Sequence, residues 1–158
     1  MVSSTFVAIG SLCLVSALAS ARADNLNTSG VICQAYNAAN AMDIDYAANG
    51  VWNRSTVARQ IACSVPRSKL PAGSTPAFFI DAYNNAGTCT SCMVTLYHFT
   101  GVEAGSQAVL HCAPASASQT WTEFVSFPFP AADDYARVIC TLPANHAGAI
   151  FGITSIQP

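Results

Sequence analysis

Six of the seven cysteines, Cys33, Cys63, Cys89, Cys92, Cys112 and Cys140, follow an apolar leader, and that even set limits the fold more than any other feature. In an exported chain it reads as a framework of three disulfides. The leader supports export. Phe6 to Ala19 is almost wholly apolar, too short for a bilayer span of about 20 residues, and is followed by the small-x-small triplet Ala21-Arg22-Ala23. Cleavage there starts the mature chain near Asp24, so residues 1–23 are expected to be a signal peptide and 24–158 a single domain. Cys13 falls inside the leader, and Gly10-Ser11-Leu12 before it is no lipoprotein box. The expected location is outside the cytoplasm, extracellular or periplasmic, with no membrane span.

Charge excludes one class of partner. The chain has six basic and eight acidic residues and a formal net charge of -2. The cations after the leader, Arg54, Arg59, Arg67, Lys69 and Arg137, form no stripe, and nucleic acid needs one to neutralise phosphates. The solvated surface must be built from Ser, Thr, Asn, Gln and Gly, a weakly charged exterior that permits self-association.

Short runs rich in Val, Ile, Phe, Tyr and Thr recur at intervals of about ten residues, separated by Gly, Pro and Asn, the rhythm of antiparallel strands. They span Val31–Tyr36, Asp43–Tyr46, Val51–Arg54, Val57–Val65, Ala77–Tyr83, Cys92–Thr100, Ser106–Cys112, Trp121–Phe127, Tyr135–Leu142 and Ala149–Thr154. Asn49-Gly50 turns the second into the third. The fold class is therefore all-β, a disulfide-stabilised antiparallel β-sandwich, jelly-roll-like or Ig-like, of about eight or nine strands.

Alternation assigns faces to some runs. Cys92, Val94 and Leu96 share one side, as do Ala108, Leu110 and Cys112, Ala136 to Leu142 taken alternately, and Val57, Ile61, Cys63 and Val65. With a hairpin loop at Gly101 to Gly105, these faces pair Cys92 with Cys112 and Cys63 with Cys140, leaving Cys33 with Cys89. Fifteen pairings are formally open.

Cys89-Thr90-Ser91-Cys92 has the spacing of a redox or zinc pair. The run after it has strand rather than helix character, however, and no second such pair follows, so structural disulfides are the expectation, with no metal and no cofactor. His98, His111 and His146 are isolated, and there is no Gly-x-Ser-x-Gly elbow. Carboxylates at Asp43, Asp45, Asp81, Glu103, Glu123, Asp133 and Asp134 would serve a hydrolase only if two faced each other across a cleft. Asp43 and Asp45 could share one side of a strand and hold calcium, although solvated edge residues are the plainer account.

Aromatic residues carry the argument for binding. Exposed rings stack on sugar faces while adjacent amides bond hydroxyls, and Tyr36, Tyr46, Trp52 and Trp121 are candidates, with Asn37, Asn40, Asn49 and Asn53 near them. Tyr46, Trp52, Trp121, Asn49 and Asn53 form the candidate ligand site, against the alternative that the large rings are core. Asn27-Thr28-Ser29 and Asn53-Arg54-Ser55 are glycosylation sequons, relevant only in a host that uses them.

Asn53-Arg54-Ser55, the run Ile61-Ala62-Cys63-Ser64-Val65-Pro66-Arg67 and the late Cys140-Thr141-Leu142-Pro143 resemble motifs of small exported bacterial proteins of unknown function. The resemblance implies a secreted bacterial β domain and carries over no activity. Together these readings favour a secreted, non-catalytic binding or surface-interaction domain, with a glycan or cell-surface protein as partner. The alternatives are a secreted hydrolase using a carboxylate pair, and a secreted inhibitor or effector acting through the loop Ser68 to Thr75.

Overall fold

The computed structural model describes residues 24–65, 75–126, 128 and 134–157. The leader, residues 68–74 of the proposed effector loop, Asp133, Phe127 and Phe129 lie outside them. Eleven strands are present: β1 (Asp24–Ser29), β2 (Gln34–Ala35), β3 (Ile44–Ala47), β4 (Gly50–Asn53), β5 (Arg59–Ser64), β6 (Ala77–Asn84), β7 (Cys89–Tyr97), β8 (Glu103–Cys112), β9 (Gln119–Ser126), β10 (Tyr135–Leu142) and β11 (Gly148–Gln157). One sheet has the order β3-β4-β11-β6-β9 with β1 also on β11, and the other the order β2-β5-β10-β7-β8. All pairings are antiparallel.

The expected β-sandwich is thus found, with more strands than the runs suggested. β1 was missed because Asp24-Asn25-Leu26-Asn27-Thr28-Ser29 is polar and poor in strand formers; pairing with β11 holds it in the sheet. Alternation fills the interior. Phe78, Ile80 and Val125 from one sheet meet Ile61, Val94, Leu96, Val138 and Leu142 from the other, all at most 1% exposed. Each such side chain contributes about 1.5–3 kcal/mol by leaving water. Val57, expected in this row, is instead half exposed in the loop before β5.

β11 serves two partners on one edge. Its first part pairs with β4 and its later part with β1, and its register against β6 shifts between Ile150 and Gly152. Gly30 and Gly50 both crowd the Ile150 carbonyl at this bulge, where a Cβ at Gly50 would lie 2.5 Å from the oxygen. No larger residue fits without moving backbone.

The disulfides are Cys33–Cys63, Cys89–Cys112 and Cys92–Cys140. All three expected pairs are corrected, and register explains why. The β7–β8 turn is tighter than expected: His98 N–H donates to the Val102 carbonyl, Gly101 N–H donates to His98, and Gly101 has φ 85°. β8 begins at Glu103 opposite Tyr97, and a one-residue bulge there shifts the register so that Gly105 lies opposite Leu96, Val109 opposite Cys92 and Cys112 opposite Cys89. The displacement from the expected register is an odd number of residues, so it inverts the strand's faces. Leu110 and Cys112 point outward, while Val109 and His111 turn toward the interior. Cys140 lies directly across from Cys92, whereas Cys63 lies opposite Val138, diagonal to Cys140. Cys63 is taken by Cys33, which ends the short helical turn Gly30–Ile32.

Two buried asparagines tie the sheets together. Asn84 Oδ1 accepts from Trp121 Nε1 at 3.0 Å and Thr90 Oγ1 at 2.8 Å, while its Nδ2 donates to the Thr88 and His111 carbonyls at 2.9 and 3.1 Å. The amide is fully used, linking β6 and β9 to β7 and β8. Asn53 does the same from β4, donating to the carbonyls of Val57, Leu142 and Pro143 and accepting from Ser55 N–H.

Candidate functional site

The outer face of the five-stranded sheet is contoured by adjoining depressions. Because Ile61, Cys63, Val138, Cys140, Cys92 and Val94 point inward, their alternates point out. Register places Ala62, Ile139, Met93 and Ala108 in one row across four strands, and Gln60, Thr141, Ser91 and Leu110 in the next. Ala62, Ala108, Ser91 and Thr141 are the small side chains of these rows, with Met93 and Leu110 standing exposed among them. Three depressions of about 690, 580 and 380 Å³ adjoin on it, the first two sharing Tyr36 and the first and third sharing Gln60 and Thr141.

Aromatic rings rise from this face. Tyr36 is 50% exposed and Tyr135 43%, so both present ring surface to solvent. Tyr135 stacks on Tyr97 at 5.4 Å, and the Arg137 guanidinium lies 5.2 Å from the centre of the Tyr36 ring. These contacts hold the rings before any ligand arrives, which lowers the ordering cost of binding. Asn37 and Asn40, beside Tyr36, line the largest depression.

The five residues expected to form the ligand site are not brought together. The β3–β4 hairpin turns at Ala48-Asn49, with Asn49 exposed. Tyr46 pairs with Val51, however, and Asp45 with Trp52, so Tyr46 and Trp52 face opposite sides of the hairpin. Trp121 is only 6% exposed and belongs to the core, and Asn53 is fully buried in the clasp described above. The same burial removes Asn53-Arg54-Ser55 as an accessible sequon. Asn27, by contrast, is exposed and accepts from Thr154 Oγ1.

Trp52 has different company. On the outer face of the six-stranded sheet it packs on Tyr83 at 5.7 Å and on Phe151 at 6.0 Å, each ring half-buried by the others. Tyr83 and Phe151 carried no sequence signal for this, since only the cross-strand register and the bulge bring them to Trp52. None of the depressions named above lies there.

The titratable groups are engaged in separate small clusters. Asp43 meets Arg59 at 2.6 Å, and Asp45 meets His146 at 2.6 Å and Arg54 at 3.4 Å. Asp43 and Asp45, which could have held calcium together, are thus each paired with the protein's own side chains instead. The His146 hydrogen bond, opposed by partial desolvation and aided by Arg54, holds the Asp45 carboxyl below its ordinary range. His98 meets the buried Asp134 at 3.0 Å, and His111 meets Glu123 at 3.1 Å while stacking on Trp121. Among the described residues, no hydroxyl bonds any of these histidines, and no three His, Cys, Asp or Glu side chains converge as a metal site. No helix among the described residues is long and apolar enough to cross a membrane.

No family model matches the sequence, and no curated protein does. Solved structures match in shape. The xylan-binding module CBM15 aligns with a TM-score of 0.51 at 11% identity, over 86% of this chain and 97% of the module. A C-terminal family 6 carbohydrate-binding module of a laminarinase from Zobellia galactanivorans gives 0.49 at 10% identity, over 84% and 99% of the two chains. A family 35 module from Paenibacillus barcinonensis gives 0.48 at 7%, over 84% and 97%. The chain is a disulfide-tied β-sandwich sharing its architecture with the xylan-binding module.

Proposed function

We propose that the chain is an exported, non-catalytic domain that binds a glycan on the outer face of its five-stranded sheet. One observation carries this reading: two exposed tyrosines, each held by a neighbour, stand over adjoining depressions lined by Gln, Asn, Ser and Thr. A saccharide offers apolar ring faces and a rim of hydroxyls, and this surface supplies stacking rings and amide or hydroxyl partners in the same order. The shared architecture with a xylan-binding module supports it. So does the hydroxyl- and amide-rich exterior, which supplies hydrogen-bond partners for saccharide hydroxyls. The leader pattern and three disulfides support export.

Affinity electrophoresis through gels containing soluble polysaccharides tests this directly. Retardation is expected in at least one gel, and Tyr36→Ala and Tyr135→Ala are each expected to weaken it about tenfold, or about 1.4 kcal/mol. Unretarded migration across neutral and charged polysaccharides would remove the reading.

A further inference from the structure

Among the described residues, the cations near the glycan face are not equivalent. Arg54 and Arg59 are neutralised by Asp45 and Asp43. Arg137 has no carboxylate partner. It emerges from the middle of the face, its guanidinium over Tyr36, into the depression of about 580 Å³. Its cross-strand neighbours are Ser64 on β5 and Thr95 on β7, with Ser106 beyond. The walls add Gln34 and Tyr135 and, among the described residues, contain no acidic side chain. A guanidinium without a counter-charge, partly withdrawn from water and flanked by hydroxyls, is a poor stability device, because its desolvation is not repaid by a partner. It is well suited to receive an anion, since its planar fork matches the two oxygens of a carboxylate and its contact with Tyr36 is to a neutral ring face.

We propose that the ligand is an acidic glycan and that Arg137 binds a carboxylate of its uronic acid units, with Tyr36 holding the guanidinium in place. This rests on the glycan-binding reading and adds the ligand's charge. The chain's net negative charge does not oppose it, because charges farther than a Debye length of about 8 Å are screened at physiological salt.

The test measures binding of the full secreted chain to polygalacturonate, to the same polymer after its carboxyls are reduced to alcohols, to xylan, and to dextran sulfate. Polygalacturonate is expected to bind most tightly, at least tenfold better than its reduced form, with affinity falling as salt is raised. Arg137→Gln should erase that difference, and Arg137→Lys should restore only part of it, since it returns the charge without the fork. Thermal melts of both variants verify folding. Equal binding of native and reduced polymer, or no change in Arg137→Gln, would overturn the acidic preference while leaving glycan binding intact. Tighter binding of dextran sulfate than of polygalacturonate would overturn the carboxylate assignment. Absence of binding to all four would remove the glycan reading as well.

Discussion

Asn84 shows how one polar side chain stabilises an apolar interior. Its four hydrogen bonds satisfy Trp121 Nε1 and Thr90 Oγ1 and tie β6 to the opposite sheet. Asn84→Ala would strand several buried polar groups at once, and a loss of about 2–4 kcal/mol is expected from denaturant unfolding. A loss below about 0.5 kcal/mol would mean that water replaces the amide at no cost. Asp45 makes a different prediction. Its folded-state pKa lies below the ordinary 3.8, so its contacts add stability above that value and lose it as pH falls through the folded one. The wild type should therefore be more stable than Asp45→Asn near neutrality, and the difference should shrink as the pH falls below 3.8 and through the lower folded-state value. An advantage that persisted in acid would assign the effect to packing rather than charge. Neither role was legible beforehand. Asn53 and Trp121 were plausible ligand residues because an amide or indole looks the same in sequence whether it faces a sugar or a buried partner.

Most strands were legible as alternating runs, but which face each run presents depended on turns that composition does not fix. β8 makes the point. Reading the loop as Gly101 to Gly105 put Leu110 and Cys112 inside, and the one-residue bulge just after the tighter turn puts them outside. The rows from Cys92, Ile61 and Ala136 were read correctly because they lie in strands paired on both edges, whose inner faces are buried in the core. The inversion has a chemical consequence: Cys89 and Cys112 are exposed while Cys92 and Cys140 are buried. Limited reduction followed by alkylation and peptide mapping should open Cys89–Cys112 first, and earlier opening of Cys92–Cys140 would contradict the observed faces. At the bulge in β11, Gly50→Ala forces a Cβ against the Ile150 carbonyl. A loss of about 1–3 kcal/mol or more is expected in thermal or denaturant unfolding, and a neutral substitution would show that the two strands can separate there freely.

At the scale of the molecule, the sandwich offers two outer sheet faces of unlike character. One carries the self-packed cluster of Trp52, Tyr83 and Phe151; the other carries Tyr36, Tyr135 and Arg137 over adjoining depressions. Sequence pointed to aromatic rings and amides as the binding chemistry and included Tyr36 with Asn37 and Asn40. It could not gather them, because the face is assembled from β2, β5, β10, β7 and β8, which are distant in the chain. The most direct test is to titrate an isotope-labelled, oxidised sample with oligosaccharides of the tightest-binding polysaccharide and map backbone amide shifts by NMR. The account predicts perturbations concentrated at Tyr36, Gln60, Ala62, Tyr135, Arg137 and Thr141. Shifts confined to the Trp52, Tyr83 and Phe151 face would contradict it.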